Sequence, residues 1–402
     1  MNKISIEISR VYHRIASLRI RWKLLIIALI SLLVFVLSKG PPPGQNHFVY
    51  LADAFLHGRL GLSGSGTSLA EVVNYHGNFY VVYPPMPAIL LVSFVAVFGT
   101  SFDQGLLSII LASLCVSAIW LMLRKTGTNS NKALWLAALF GFGTCFWFIA
   151  SVGSSWYIEH ASAVLFLTGA IILALYKKNN FFVGLLLGCA ALLRLPTVLA
   201  FPFFLLLTYE QNNAWKPRLK QAAIFFLCLA IPVGLNALYN FARYGTFLDV
   251  GYTLIPGIQQ DPYFTNGIFN ISYIPRHLYA ILFQGPILLN NFPYFEPSWM
   301  GLGLFFTTPA FIYIFKEPWD KLSKKAALAV LCILPILITH GTVGFTQFGY
   351  RFSLDFTPFL ILLVAKGMRE KIGWPEKSLI ILSLLVNLWG VVSIIKFNFV
   401  SF

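Results

Sequence analysis

Eleven apolar stretches joined by short polar or basic connectors leave this chain one architecture, a bundle of helices in a membrane. They run over 22–38, 104–123, 132–150, 158–176, 181–193, 195–209, 221–240, 299–315, 325–341, 350–366 and 377–397. In hydrocarbon every backbone N–H and C=O must be satisfied internally, so such stretches fold as helices and not as open sheets. Composition agrees. The chain is 58% hydrophobic and 11% charged, with mean hydropathy +0.76, whereas soluble domains carry about 25% charged residues. The expected fold class is an all-α polytopic membrane protein of about eleven transmembrane helices.

The net charge of +15 is not the signature of a nucleic-acid partner, because the basic residues occur as small clusters between apolar stretches. Residues 3–22 place Ile4, Ile8, Val11, Ile15, Leu18 and Trp22 at helical spacing with Lys3, Arg10, Arg14 and Arg21 between them. This predicts a cytoplasmic amphipathic basic segment over 1–22, lying on the anionic inner leaflet, ahead of a single integral membrane domain over 23–402. The first apolar run ends in Ser38-Lys39-Gly40-Pro41, which is no small-x-small cleavage site, so it reads as an uncleaved anchor. Two segments need a choice. Residues 85–99 open with prolines and number about fifteen, short of the ~20 that span a bilayer, and read as a half-inserted helix. Residues 181–209 are broken at Arg194-Leu195-Pro196 and read as two short helices meeting at a turn. With both choices the large basic clusters fall on one side, the N-terminus is cytoplasmic, and the loops 39–103 and 241–298, each carrying an interfacial helix, face out. The five cysteines all lie inside apolar runs without a CxxC pair, so they read as small core residues.

Charged groups are scarce, which makes those at the outer face informative. Carboxylates there include Asp53, Glu71, Glu159 and Asp355; guanidiniums include Arg59, Arg194, Arg276 and Arg351. A 13-residue helix rises only ~20 Å, so the Arg194 turn belongs below the outer surface, where ionisable residues are functional or structural pairs. Arg351 and Asp355, four apart at the head of a span, are expected to share a helix face as an ion pair or a site. Glu159 and His160 are adjacent on a helix, so only one of them lines a cavity. Arginine forks bind phosphate bidentately, and a carboxylate beside them can take a proton from an acceptor hydroxyl. That pairing suits transfer of a group from a lipid phosphate.

The order of motifs also resembles a known family. A first span is followed by an outer loop ending in Tyr83-Pro84-Pro85-Met86-Pro87. Trp156-Tyr157-Ile158-Glu159-His160 then opens a span, Gly184 to Pro196 carries Arg194, and Phe348-Gly349-Tyr350-Arg351-Phe352 comes near the end. This order resembles the GT-C class of polytopic membrane glycosyltransferases, the clan of protein mannosyltransferases and lipid A aminoarabinose transferases. The resemblance covers most of the chain and is best over 45–240. It implies an enzyme of the cell envelope that moves a sugar from a polyprenyl-phosphate donor to an acceptor hydroxyl of a glycan, lipid or protein, at the extracytoplasmic face. An acid in the first outer loop would act as base. The family's acid stands shortly after the first span, where this chain reads Pro43-Gly44-Gln45-Asn46-His47 without a carboxylate. The role therefore falls to Asp53, on a helix expected over Phe48–Leu60, then to Glu71 in what reads as a mobile loop, then to Glu159. Arg194, Arg276, Arg351 and Arg59 are the candidates for the lipid phosphate, and His47, His57, Tyr83 and Asp355 for substrate contact. With arginines on a monophosphate leaving group a divalent metal is compatible with the reading but not required, no other cofactor is implied, and no HxH or HxxxH pair marks a zinc site. Two other readings compete. A transporter or flippase of lipid-linked intermediates should show inverted repeats about a midplane site. A non-catalytic relative binding lipid or protein is favoured by the missing acid.

The orientation has a direct check. In a background without native cysteines, Ser65→Cys and Gln260→Cys should react with a membrane-impermeant thiol reagent added from outside, and Thr128→Cys should not. Labelling at 128 with protection at 65 reverses the topology.

Overall fold

The computed structural model describes residues 19–176, 180–211 and 214–400. All but the last four residues of the expected amphipathic segment 1–22 lie outside them. The first span, α1 (Ile20–Ser38), leads into the first long loop, which is itself folded. That loop holds α2 (His47–Leu56), an antiparallel hairpin of β1 (Val72–Tyr75) and β2 (Asn78–Val81), and α3 (Met86–Phe98). Asp103 caps α4 (Gln104–Lys125) by accepting from Gly105 N at 2.9 Å, and pairs with Lys39 at 2.6 Å, which ties the loop's exit to its entry. After it come α5 (Ser130–Phe142), α6 (Phe146–Val152), α7 (Ser155–Leu175), α8 (Asn180–Ala191), α9 (Phe201–Gln211) and α10 (Trp215–Tyr244). The second long loop carries α11 (Ile274–Leu282) and a two-residue ladder of β3 (Ile287–Leu288) with β4 (Phe295–Glu296). The chain closes with α12 (Lys321–Ile338), α13 (Thr357–Gly367) and α14 (Trp374–Val391).

The fold is helical and built for a membrane, but helix length alone does not yield eleven spans. Among the described residues five helices are long and apolar enough to cross, or six if α5 and α6, bent by 54° at their junction, form one span. Of the remaining apolar stretches, 325–341 lies largely on the continuous α12, and several others are interrupted. Residues Leu195–Ala200, Pro309–Lys316 and Arg351–Asp355 run as 3₁₀ turns, the first two opening on a proline. Proline supplies no N–H and fixes φ, so hydropathy there is greater than helix continuity. The break at 192–200 and the short α3 match the sequence reading. The 13 residues of α3 reach ~20 Å, well under the ~30 Å of hydrocarbon.

Close backbone approach holds the bundle where its short helices meet a long one. On α8, a Cβ at Gly184 would run into the Phe225 carbonyl oxygen, and one at Gly188 would stand 2.8 Å from that of Leu229 on α10. Small residues let helices pack at this distance where lipid offers no hydrophobic drive. Gly184→Ala should therefore lower the melting midpoint of the purified protein, since overpacking costs about 1–3 kcal/mol. Gly234→Ala, at a position open on all sides, should not. Equal midpoints for the two would refute the packing argument.

Candidate active site

A cavity of about 590 Å³ opens between the two long loops and the adjoining ends of the helices. Its walls come from distant stretches: Glu71, Tyr83 and Pro84 of the first loop, Trp156 and Glu159 at the start of α7, and Arg194 to Pro196 after α8. Asp249 and Tyr252 join from the second loop, His340 from the end of α12, and Thr346 and Arg351 from beyond it. Leu193, Leu195, Ile336 and Leu337 add apolar wall to these charged and polar residues.

The break after α8 aims Arg194 inward. The chain turns through Leu192 and Leu193, Arg194 N donates back to the Ala190 carbonyl at 2.8 Å, and Pro196 starts a new turn. The Arg194 guanidinium then forms a two-pronged pair with Asp355, Nε to Oδ1 at 3.1 Å and Nη2 to Oδ2 at 3.0 Å. His160 Nδ1 stands 3.3 Å from the same carboxylate. Arg351 is not the partner of Asp355. The stretch between them is 3₁₀, and at three residues per turn positions i and i+4 point apart. Arg351 instead donates from Nη1 to the Phe345 carbonyl at 2.8 Å and lies 5.6 Å from the Tyr157 ring centroid. Its Nε has no partner, and among the described residues it forms no salt bridge with a carboxylate. Arg351 is thus a cation at the cavity wall without a bound counter-charge.

Two carboxylates face it, Glu159 buried and Glu71 half-buried. Glu159, 5% exposed, leaves Oε1 without a partner; its neighbour His160 points away from the cavity towards Asp355. Glu71 sits at φ +57°, a conformation uncommon for a residue with a Cβ. Its carboxylate accepts from Trp156 Nε1 at 2.7 Å and Tyr252 Oη at 3.4 Å. Burial pushes the Glu71 carboxyl up from its usual value, opposed in turn by the Trp156 bond, the Arg351 charge and the Tyr252 bond. Trp156 Nε1 also reaches Tyr83 Oη at 2.5 Å. Among the described residues no group of three His, Cys, Asp or Glu is placed to hold a metal ion.

With this geometry in view, likeness to solved structures becomes informative. The chain superposes on ArnT from Cupriavidus metallidurans bound to undecaprenyl phosphate with TM-score 0.53, 12% identity, and coverage of 88% of this chain and 61% of ArnT. The chain shares the fold of this ArnT structure. Two further structures align less well: apo ArnT from the same organism, at TM-score 0.49, 12% identity and the same coverage, and the S. cerevisiae protein O-mannosyltransferase Pmt1–Pmt2 complex bound to the sugar donor. The last has TM-score 0.41 and 15% identity, covering 57% of this chain and 34% of that one. The chain therefore spans about three-fifths of ArnT and a third of the mannosyltransferase chain. No protein-family profile and no curated protein sequence matches it.

On this fold the expected site residues divide. Glu71, Glu159, Arg194, Arg351 and Tyr83 come together at the cavity, with Asp355 directly behind Arg194. Asp53 does not reach it. On α2, which ends at Leu56, not Leu60, its 29% exposed side chain pairs locally with His57 at 3.5 Å and Arg59 at 3.6 Å. Arg59 also bonds Ser63, and His57 is exposed. Arg276 staples the second loop, donating to the Tyr263 and Gly341 carbonyls between the rings of Tyr263 and Tyr273. His47 is buried beneath the cavity wall, its Nε2 on the Ala70 carbonyl. Trp156, Tyr252 and His340 are additional wall residues. Trp156 was visible as the first residue of its motif; Tyr252, 181 positions from Glu71, carried no local signal.

The Arg194–Asp355 pair has a stability test. Removing one partner of a buried pair leaves an uncompensated charge and costs about 3–5 kcal/mol, less here because Arg194 is 18% exposed. Asp355→Ala should lower the melting midpoint, and Arg194→Met with Asp355→Leu should recover most of the loss. A double variant no better than the single one would contradict the pairing.

Proposed function

We propose that this protein is a membrane glycosyltransferase that takes a sugar from a polyprenyl-phosphate carrier and passes it to an acceptor hydroxyl at the outer face. The observation that carries this reading is that the cavity sets Arg351, a guanidinium without a salt-bridge partner among the described residues, beside the carboxylates of Glu71 and Glu159. The carrier phosphate binds Arg351 and the edge of Arg194 left free by Asp355, and the prenyl chain lies along the apolar wall. Glu71 takes the proton of the acceptor hydroxyl. The hydroxyl oxygen then bonds to the anomeric carbon while the bond from that carbon to the phosphate oxygen breaks, and polyprenyl phosphate leaves with its charge on the arginines. Preorganised charge at the leaving group is the main source of rate in such transfers. Glu159, with one free oxygen, binds a sugar or acceptor hydroxyl. The fold shared with undecaprenyl-phosphate-bound ArnT supports the choice of carrier class.

Glu71→Gln should reduce transfer by about 10²–10⁴-fold with polyprenyl-phosphate binding retained, whereas Asp53→Asn should keep transfer within a few-fold. Because the base must be ionised and burial raises Glu71, the rate should fall with acidity through a pH above the ordinary carboxylate value of about 4.3. Full activity of Glu71→Gln would remove it as the base. Carrier binding without transfer from any polyprenyl-phosphate sugar would favour a non-catalytic carrier-binding protein.

A further inference from the structure

Glu71 is held in an uncommon backbone conformation by a residue that never touches the cavity. A left-handed φ in a residue with a Cβ persists where the surroundings over-determine it. The Glu71 side chain is gripped by Trp156 and Tyr252, which orient the carboxylate but leave the backbone unaddressed. The backbone grip comes from the other end of the loop. His47, fully buried at the first turn of α2, places Nε2 at 2.5 Å from the carbonyl oxygen of Ala70, the residue immediately before Glu71. Its own backbone N–H donates to Ser155 Oγ at 3.0 Å, at the head of α7. The ring also packs edge-on against Tyr83, centroids 5.6 Å apart, and lies 6.4 Å from Trp156. One imidazole therefore touches the segment bearing Glu71, the tryptophan that binds its carboxylate and the tyrosine sharing that tryptophan's N–H.

The tautomer follows from the partners. A carbonyl can only accept, so Nε2 carries the proton. Nδ1 is buried with no partner and stands as a bare lone pair, so the ring is neutral, and burial lowers its pKa accordingly. His47 is fully buried and does not line the cavity, so its imidazole does not meet the acceptor hydroxyl. It can fix where the proton acceptor stands.

We propose that His47 is a positioning residue, which holds the Glu71 carboxylate at the cavity by pinning the Ala70 carbonyl to the head of α7. The inference rests on Glu71 as base for its effect on rate, but its structural part does not. His47→Phe keeps the ring's bulk and removes the donor. His47→Gln restores an amide N–H at about the reach of Nε2. Two readouts separate the claims. Hydrogen exchange of the purified full chain over residues 68–75 should rise several-fold in His47→Phe and stay near wild type in His47→Gln. In parallel, kcat should fall about tenfold in His47→Phe, equivalent to roughly 1.4 kcal/mol. KM for the polyprenyl-phosphate sugar should stay within about twofold, and His47→Gln should recover most of the rate. Unchanged exchange in His47→Phe, or equal loss in both variants, overturns the positioning role. Raised exchange with undiminished kcat retains the pinning but removes Glu71 as the base, so the two failures are distinct.

Discussion

The two-pronged contact between Arg194 and Asp355 is the interaction on which the cavity depends. A guanidinium at membrane depth is costly unless its charge and donors are met, and the chain meets them by breaking a helix. The twelve residues of α8 reach ~18 Å before the chain turns, short of the ~30 Å of a hydrocarbon core, and the turn carries Arg194 into the protein. Asp355, itself 1% exposed, is brought opposite by the 3₁₀ turn after Tyr350. Because that turn spends Asp355 on Arg194, Arg351 is left without a carboxylate. The uncompensated charge at the wall is thus a consequence of the compensated one behind it.

Around this pair the long loops act as structure, not as connectors. Asp103 and Lys39 close the first loop at its base, and His47 and Ser155 fasten α2 to α7. The hairpin Val72–Val81 turns through His76 and Gly77, both at positive φ, as a type I′ turn requires. The hairpin sets Glu71 just before its first strand. The cavity draws on residues from 71 to 352, and in so enclosed a space each charge acts through a dielectric well below that of water. This is why a few ionisable groups suffice to define a site in a chain that is 11% charged.

Legibility in the sequence followed the range of the interaction. The membrane class, the break at Arg194, the half-length α3 and the division of Glu159 from His160 were readable because each depends on residues within one or two turns. Asp53 was ranked ahead of Glu71 for the same reason: Arg59 and His57 stand close to it in sequence, and in the structure they bind it there, away from the cavity. Glu71 looked like part of a mobile loop. Yet Val72-Val73-Asn74-Tyr75-His76-Gly77-Asn78-Phe79-Tyr80-Val81 has the residue types and central glycine of a hairpin, a signal present but outweighed by the surrounding helical pattern.

What the sequence by itself determined was solvent and period: apolar stretches too long and too uncharged for water, basic clusters between them, and prolines where helices must stop. Those properties act locally, so they survive without knowledge of the fold. The tertiary structure alone decided the pairings. Arg194 found Asp355, 161 positions away, in preference to any neighbour; Glu71 found Trp156 and Tyr252; and His47 found Ala70. Each of these depends on how helices of unequal length pack against one another, and on a 3₁₀ turn that redirects Arg351 by a fraction of a rotation. Spacing along the chain carries no record of that geometry.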